Sequence, residues 1–326
     1  MTRTDTLALV ESPAQLLNAV EWLSATPDIE ADLVVLAPWR EESRRQLRGT
    51  VELVRGPRVH VRWLEPRRSA WHAGQVAARL LPLVARARRL VLGDPFSGLI
   101  QTLLPVFPGQ TVVVVDDGTA TIEFASRMQA GEPMLRWHVA APGRGQHRRA
   151  VRTTDLLRRR RLEVFTAMPL DDLGLRVRPN HYRWLRRRHP HPAVLPGAAL
   201  VGSSLVETGV VRGEAYLDAV AGLVQQQGLR RYLAHRREEE AKLAAVASLG
   251  VEVQRPDLPL EVELARGPVE ELVLSFPSTV LYTLPTVLAG TGVRVAGLDV
   301  PESWLVPGPR ARDAHSFLER VRHRRA

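Results

Sequence analysis

The sequence predicts an α/β fold of two doubly wound parallel sheets, and three observations carry that prediction. Short apolar runs, of the kind that fill both faces of a parallel sheet, alternate with segments whose apolar residues recur at helical spacing. The alternation halts over a basic stretch in the middle of the chain and then resumes. The 326 residues suffice for two domains of ordinary size, each with its own core.

In the first half, Leu7 to Val10 is a strand broken at Glu11-Ser12-Pro13, after which Ala14, Leu16, Leu17, Ala19, Val20 and Leu23 recur as on a helix. Leu33 to Leu36 reads as a second strand, followed by an arginine-rich helix from about Glu41. Either Val51 to Val54 or Val59 to Leu64 supplies the third, and Ala73 to Ala87 an amphipathic helix. Leu90-Val91-Leu92 ends at Gly93-Asp94, a helix begins at Leu99, and Thr111 to Val115 runs into Asp116-Asp117-Gly118. The basic segment opens with Pro142, Gly143 and Gly145, closes with His189-Pro190-His191-Pro192, and reads as irregular structure crossing between domains. The second half repeats the alternation: Ala199 to Val201 before Gly202-Ser203-Ser204, a helix from Glu214 to Gln227 stopped by Gly228, and Arg231 to Ala234 before His235-Arg236. A helix from Glu238 to Ser248 follows, then Leu272 to Leu274 before a helix opening at Ser278-Thr279, a strand at Val293 to Ala296, and a last helix from Asp313 to Arg325.

Composition narrows the function. Without cysteine, disulfides, thiolate metal sites and cysteine nucleophiles are excluded. Met1 to Leu9 lacks a basic region followed by a long apolar run, and the most apolar window, Ala193 to Val211, holds Pro196 and Glu207, so a cytoplasmic protein is expected. The net charge of +10 is concentrated between Arg144 and His189, where 14 arginines face 4 acids. Such a block suits a polyanion or the anionic inner face of a membrane. Lys242 is the single lysine, which marks a chain that uses arginine throughout and favours a solvated face. Sparse aromatics, not interleaved with the basic run, argue against nucleic acid.

The chemistry concentrates at strand ends. Two adjacent carboxylates repel when both are ionised, so Asp116-Asp117 is a candidate source of a base; an Asp-Gly turn is its ordinary alternative. In the second half Gly202-Ser203-Ser204, His235-Arg236 and Ser278-Thr279 are suited to holding phosphate, since helix starts offer unpaired N–H groups to anions. Ser278-Thr279 also fits a simple N-cap.

On these motifs the chain resembles the bacterial sialyltransferases, including those related to capsule polysialyltransferases. Their acidic-acidic-Gly motif is matched by Asp116-Asp117-Gly118, their His-Pro motif by His235-Arg236 with arginine replacing proline, and their Ser-Ser/Thr motif by Ser278-Thr279. Glu261 stands where the family tends to place a ribose-binding Glu, and Glu11 to Leu17 looks like its first loop and helix beside the acceptor.

The resemblance implies a GT-B fold, two Rossmann-like domains facing across a cleft, here expected as 1–175 on the acceptor side, a linker at 176–195, and 196–326 for the nucleotide sugar. It implies an inverting, metal-independent transferase with no cofactor, moving sialic acid or a related acidic sugar from a CMP donor to a glycan or glycolipid. Asp117 would be the base and Asp116 would orient it. His235, Arg236, Ser278 and Thr279 would stabilise the leaving phosphate, Glu261 would bind ribose, and Gly202, Ser203 and Ser204 would line the phosphate or sugar pocket. Ser12 and Asp94 are expected acceptor contacts, and Arg144–Arg188 an expected contact to anionic polysaccharide or membrane. Two rivals stay open: the same fold with another nucleotide-sugar donor, and a basic nucleic-acid- or polyanion-binding protein without catalysis.

Overall fold

The computed structural model describes residues 5–56, 59–136, 139, 141–170 and 174–307; the helix expected at Asp313–Arg325 lies outside them. The chain divides into two compact units, Met1–Trp184 and Leu185–Ala326.

The first unit holds β1 (Thr6–Val10), α1 (Pro13–Ser24), β2 (Ala31–Leu36), α2 (Glu41–Val54), β3 (Val59–Leu64), α3 (Ala70–Val84), β4 (Arg89–Leu92) and α4 (Gly98–Leu103). It continues with β5 (Thr111–Val115), α5 (Thr119–Ala130), α6 (Arg144–Arg158), β6 (Arg161–Thr166) and β7 (Arg176–Pro179); the division falls within α7 (Arg183–Arg188). Its seven strands are all parallel, in the order β3-β2-β1-β4-β5-β6-β7. The chain winds outward from β1, then returns to lay β4 beside β1, and that reversal opens a crevice at the carboxyl ends of the strands. Val112 to Val115 are at most 1% exposed. Sequestering each such side chain contributes about 1.5–3 kcal/mol, so the strand that carries the acid pair is rigidly held.

The segment Val51 to Val54, one of two choices for the third strand, is the last turn of α2; apolar groups at its buried face are helical in spacing. The basic stretch read as irregular instead forms α6, β6, β7 and α7, and the span 176–195 read as a linker carries β7 and α7. Its arginines disguised the pattern because several cover apolar or backbone groups. Arg160 donates to the Phe107 and Gly109 carbonyls, Arg178 to Thr26 Oγ1, and Arg186 to the Ala289 carbonyl.

The second unit holds β8 (Val194–Val201), α8 (Gly213–Gln227), β9 (Leu229–Leu233), α9 (Glu240–Ala247), β10 (Glu252–Gln254), α10 (Leu260–Arg266), β11 (Val269–Ser275), α11 (Val280–Val287) and β12 (Arg294–Gly297). The five parallel strands run β10-β9-β8-β11-β12, the same outward winding with its reversal between β8 and β11. No described helix is long and apolar enough to cross a membrane.

Candidate active site

In the first unit, β1, β4, β5 and β6 end side by side and deliver Glu11-Ser12, Asp94, Asp116-Asp117 and Thr166 to one edge. The two adjacent aspartates have different fates. Asp116 is 1% exposed, and four donors saturate it: Gly118 N–H at 2.9 Å and Thr121 Oγ1 at 2.8 Å on Oδ1, Thr166 Oγ1 at 2.8 Å and the Ala167 N–H at 3.4 Å on Oδ2. Burial nonetheless pushes its pKa up. Gly118 makes the turn possible: its φ of 65° lies in the left-handed region, which a side chain would strain.

Asp117 is only partly buried and points at fewer partners. Its N–H donates to Thr121 Oγ1 at 2.8 Å, and its Oδ1 accepts from Ser12 Oγ at 3.1 Å. Its carboxyl is pushed up to about 7, first by burial and then by the charge of Asp94, against the pull of Gln15, Arg136 and Ser12. A carboxyl near neutrality accepts protons where a surface aspartate cannot.

The helix that supports this edge carries a polar stripe. Ser12 caps α1 by accepting the Gln15 N–H, and Gln15, Asn18 and Glu21 follow at intervals of three, all buried. Gln15 Oε1 accepts the Glu11 N–H at 2.7 Å, Asn18 donates to the Asp116 carbonyl at 3.0 Å and accepts from Asn180 at 2.9 Å, and Glu21 accepts the Trp184 N–H at 3.0 Å. Asp94 accepts the Phe96 N–H and pairs with Arg136 at 2.6 Å; Glu11 pairs with Arg67, and burial pushes the Glu11 carboxyl up. Ser12 and Asp94 therefore stand beside Asp117. Sequence reasoning missed Gln15, Asn18 and Arg136, although the i, i+3 recurrence of polar residues on an otherwise apolar helix was a usable signal for the first two.

In the second unit, β9, β8 and β11 are neighbours, so His235, Gly202-Ser203-Ser204 and Ser278-Thr279 share one edge. His235 Nδ1 accepts the Arg237 N–H at 3.2 Å, which leaves the proton of the neutral ring on Nε2 as a donor. Burial, then Arg236, Arg237 and Lys242, depress the imidazole to about 4. Arg236 is exposed. Ser278 accepts the Val280 N–H at 3.5 Å, at the start of α11. Glu261 sits on α10 and accepts from Thr283 of α11 at 2.8 Å, which ties that helix to the same region.

Beneath this edge lies a buried network that the sequence did not reveal. Glu238 accepts from Tyr232, from the His235 N–H at 2.6 Å and from Lys242 at 2.6 Å; Tyr216 and Tyr232 share a hydrogen bond of 2.7 Å. Lys242 also donates to the Ser203 carbonyl at 2.8 Å and lies 4.0 Å from the Tyr216 ring centre. Burial raises the Glu238 carboxyl while Lys242 opposes it. The backbone of Gly202 approaches so closely that a Cβ there would fall 2.3 Å from Glu238 Oε2. Among the described residues, no group of three or more His, Asp or Glu side chains is placed to hold a metal ion.

Two doubly wound parallel units, each reversing beside its first strand and each carrying polar groups at its carboxyl edge, define an α/β GT-B fold. No protein-family model matches the chain, and no curated protein matches its sequence. Among solved structures it is similar to a putative UDP-N-acetylglucosamine 2-epimerase from Listeria monocytogenes, with TM-score 0.52 and 13% identity over 98% of this chain and 89% of that one. It also aligns with a UDP-glucosyltransferase from Polygonum tinctorium (TM-score 0.49, 13% identity, 99% and 93% covered) and with MurG of Acinetobacter baumannii (0.44, 13%, 97% and 82%). At such identities the first of these likenesses establishes the fold, and chemistry has to be argued from the residues.

Proposed function

We propose that the chain is an inverting glycosyltransferase that moves a sugar from a nucleotide donor to an acceptor hydroxyl, the first unit supplying the base and the second holding the donor. The observation that carries this reading is Asp117, a partly buried carboxyl at about 7 whose neighbour Asp116 is saturated by four donors. Asp117 takes the acceptor proton as the acceptor oxygen bonds to the anomeric carbon, and the bond from that carbon to the donor phosphate breaks through an oxocarbenium-like state. The electron pair leaves with the phosphate, where His235 Nε2–H, Arg236, Ser278 and Thr279 meet the growing charge. Asp116 is a positioning residue, acting through Thr121 on the Asp117 backbone. Glu261 serves the ribose, and Gly202-Ser203-Ser204 the phosphate.

We take the donor to be a nucleoside diphosphate sugar. Two exposed arginines, Arg236 and Arg237, follow the neutral His235 at the phosphate edge, and a pair of guanidinium groups can meet two phosphates. The UDP-sugar named for the Listeria neighbour points the same way. A CMP-activated acidic sugar is the second reading, favoured by the Asp-Asp-Gly and Ser-Thr motifs.

Calorimetric titration with UDP, GDP, UMP and CMP separates these. Preference for a diphosphate supports the first, preference for CMP the second, and failure of all four removes the nucleotide role. Phosphate beside His235 raises its pKa from about 4, so nucleotide affinity rises as the pH is lowered toward that value. His235→Gln should keep a donor and lose that slope. Asp117→Asn should keep nucleotide binding and lose transfer.

A further inference from the structure

Two tryptophans stand exposed at the edge of the first sheet that carries the proposed base. Trp39 follows β2 and is 74% exposed; Trp71 opens α3 after β3 and is 72% exposed. Indole offers a broad apolar face with a polar edge, which suits it to contact surfaces that stay partly wet. Both follow the carboxyl ends of adjacent strands, and the strand order places β1 and β4 between them and β5. With neighbouring strands about 4.8 Å apart, β2 lies about 14 Å and β3 about 19 Å from the strand that bears Asp117.

We infer that Trp39 and Trp71 form a stacking platform for a glycan chain whose terminal hydroxyl reaches Asp117. The inference rests on the transferase reading and names the acceptor class: a chain of several sugars, because one or two do not span from β5 to β3. Pyranose rings have C–H-lined faces that pack on indole while their hydroxyls stay in water, and Trp supplies that contact area with little entropy to lose.

A lipid surface is the competing occupant, and two observations weigh against it. The other exposed large apolar side chains lie elsewhere: Leu81 late in α3, Val106 before β5, Val151 on α6, and Val194 and Leu195 at the start of β8. Among the described residues, no large exposed aliphatic side chain accompanies the two indoles. Four of the arginines near this edge are also engaged by carboxylates, Arg44 and Arg68 with Glu65, Arg48 with Glu41, and Arg67 with Glu11, which blunts attraction to anionic headgroups, while Arg40 beside Trp39 is exposed.

The full chain, Trp39→Ala, Trp71→Ala, the double variant and Asp117→Asn are compared on an array of neutral and acidic glycans from single sugars to long chains, and on vesicles of phosphatidylcholine with phosphatidylglycerol. We expect wild type and Asp117→Asn to bind chains and not single sugars, and each Trp variant to bind about tenfold more weakly, corresponding to about 1.4 kcal/mol. Circular dichroism confirms that the variants fold. Chain binding unchanged in the double variant, absence of chain binding in wild type, or vesicle binding lost while glycan binding stays would each overturn the platform. Release of nucleotide from nucleotide sugars, measured in parallel, reports on the transferase reading alone: its absence despite Trp-dependent chain binding defeats that reading and leaves the platform standing.

Discussion

Replacing the proposed base should make the protein more stable, and only above a defined pH. The Asp117 carboxyl sits at about 7 in the folded chain against an ordinary 3.8, so the folded state holds that proton more tightly than the unfolded state. Its contribution to stability is therefore fully present below 3.8 and is lost as the pH rises through 7. At 1.36 kcal/mol for each tenfold change in proton affinity, the gap from 3.8 to about 7 sets a ceiling of about 4 kcal/mol on what ionised Asp117 costs at alkaline pH. Asparagine is neutral throughout and keeps an Oδ1 to accept from Ser12. Asp117→Asn should match wild type at about pH 4 and exceed it by up to about 4 kcal/mol at about pH 8, while losing transfer. Urea unfolding across that range, followed by tryptophan fluorescence, measures the difference. A gap that does not vary with pH would refute the reasoning, because of the two side chains only the carboxyl ionises over this range.

The charges around the base make a second prediction of opposite signs. Asp94→Asn should move the acid limb of kcat/KM below its position near pH 7, and Arg136→Met should move it above, since the first removes a raising charge and the second a lowering one. Movement of both in the same direction would contradict the placement of these charges. In the second unit, Gly202→Ala puts a methyl 2.3 Å from Glu238 Oε2 and 2.8 Å from the Tyr232 ring, so it should cost about 1–3 kcal/mol and weaken nucleotide binding. Wild-type melting and affinity would show that the loop yields instead.

Sequence periodicity resolved the central strands because both their faces are apolar, as at Val112–Val115. It failed at β6 and β7, where Arg161, Arg176 and Arg178 interrupt the apolar pattern. Those guanidiniums lie over rings or pair across strands, Arg178 over Phe165 and Arg176 with Glu163, contacts that a hydropathy pattern counts as polar. The strand-end residues of the site were legible for a topological reason: carboxyl ends gather on one edge whatever the loops do. Which of two neighbouring aspartates stays open was not legible, since that depends on Thr121 and Thr166, one on the following helix and one from another strand. Arg136 and Lys242 could not be singled out either, as their partners are distant in sequence or hidden by the helical turn.

Lys242 gives the chain an intrinsic reporter. It is the sole side-chain amine in 326 residues, its side chain is 8% exposed, and it is clasped by Glu238 and Glu207 under the loop that carries Ser203. An acylating reagent reaches that amine only when α9 or the loop parts, so the rate of labelling at this one position clocks the opening of the second unit's strand edge, without any introduced probe.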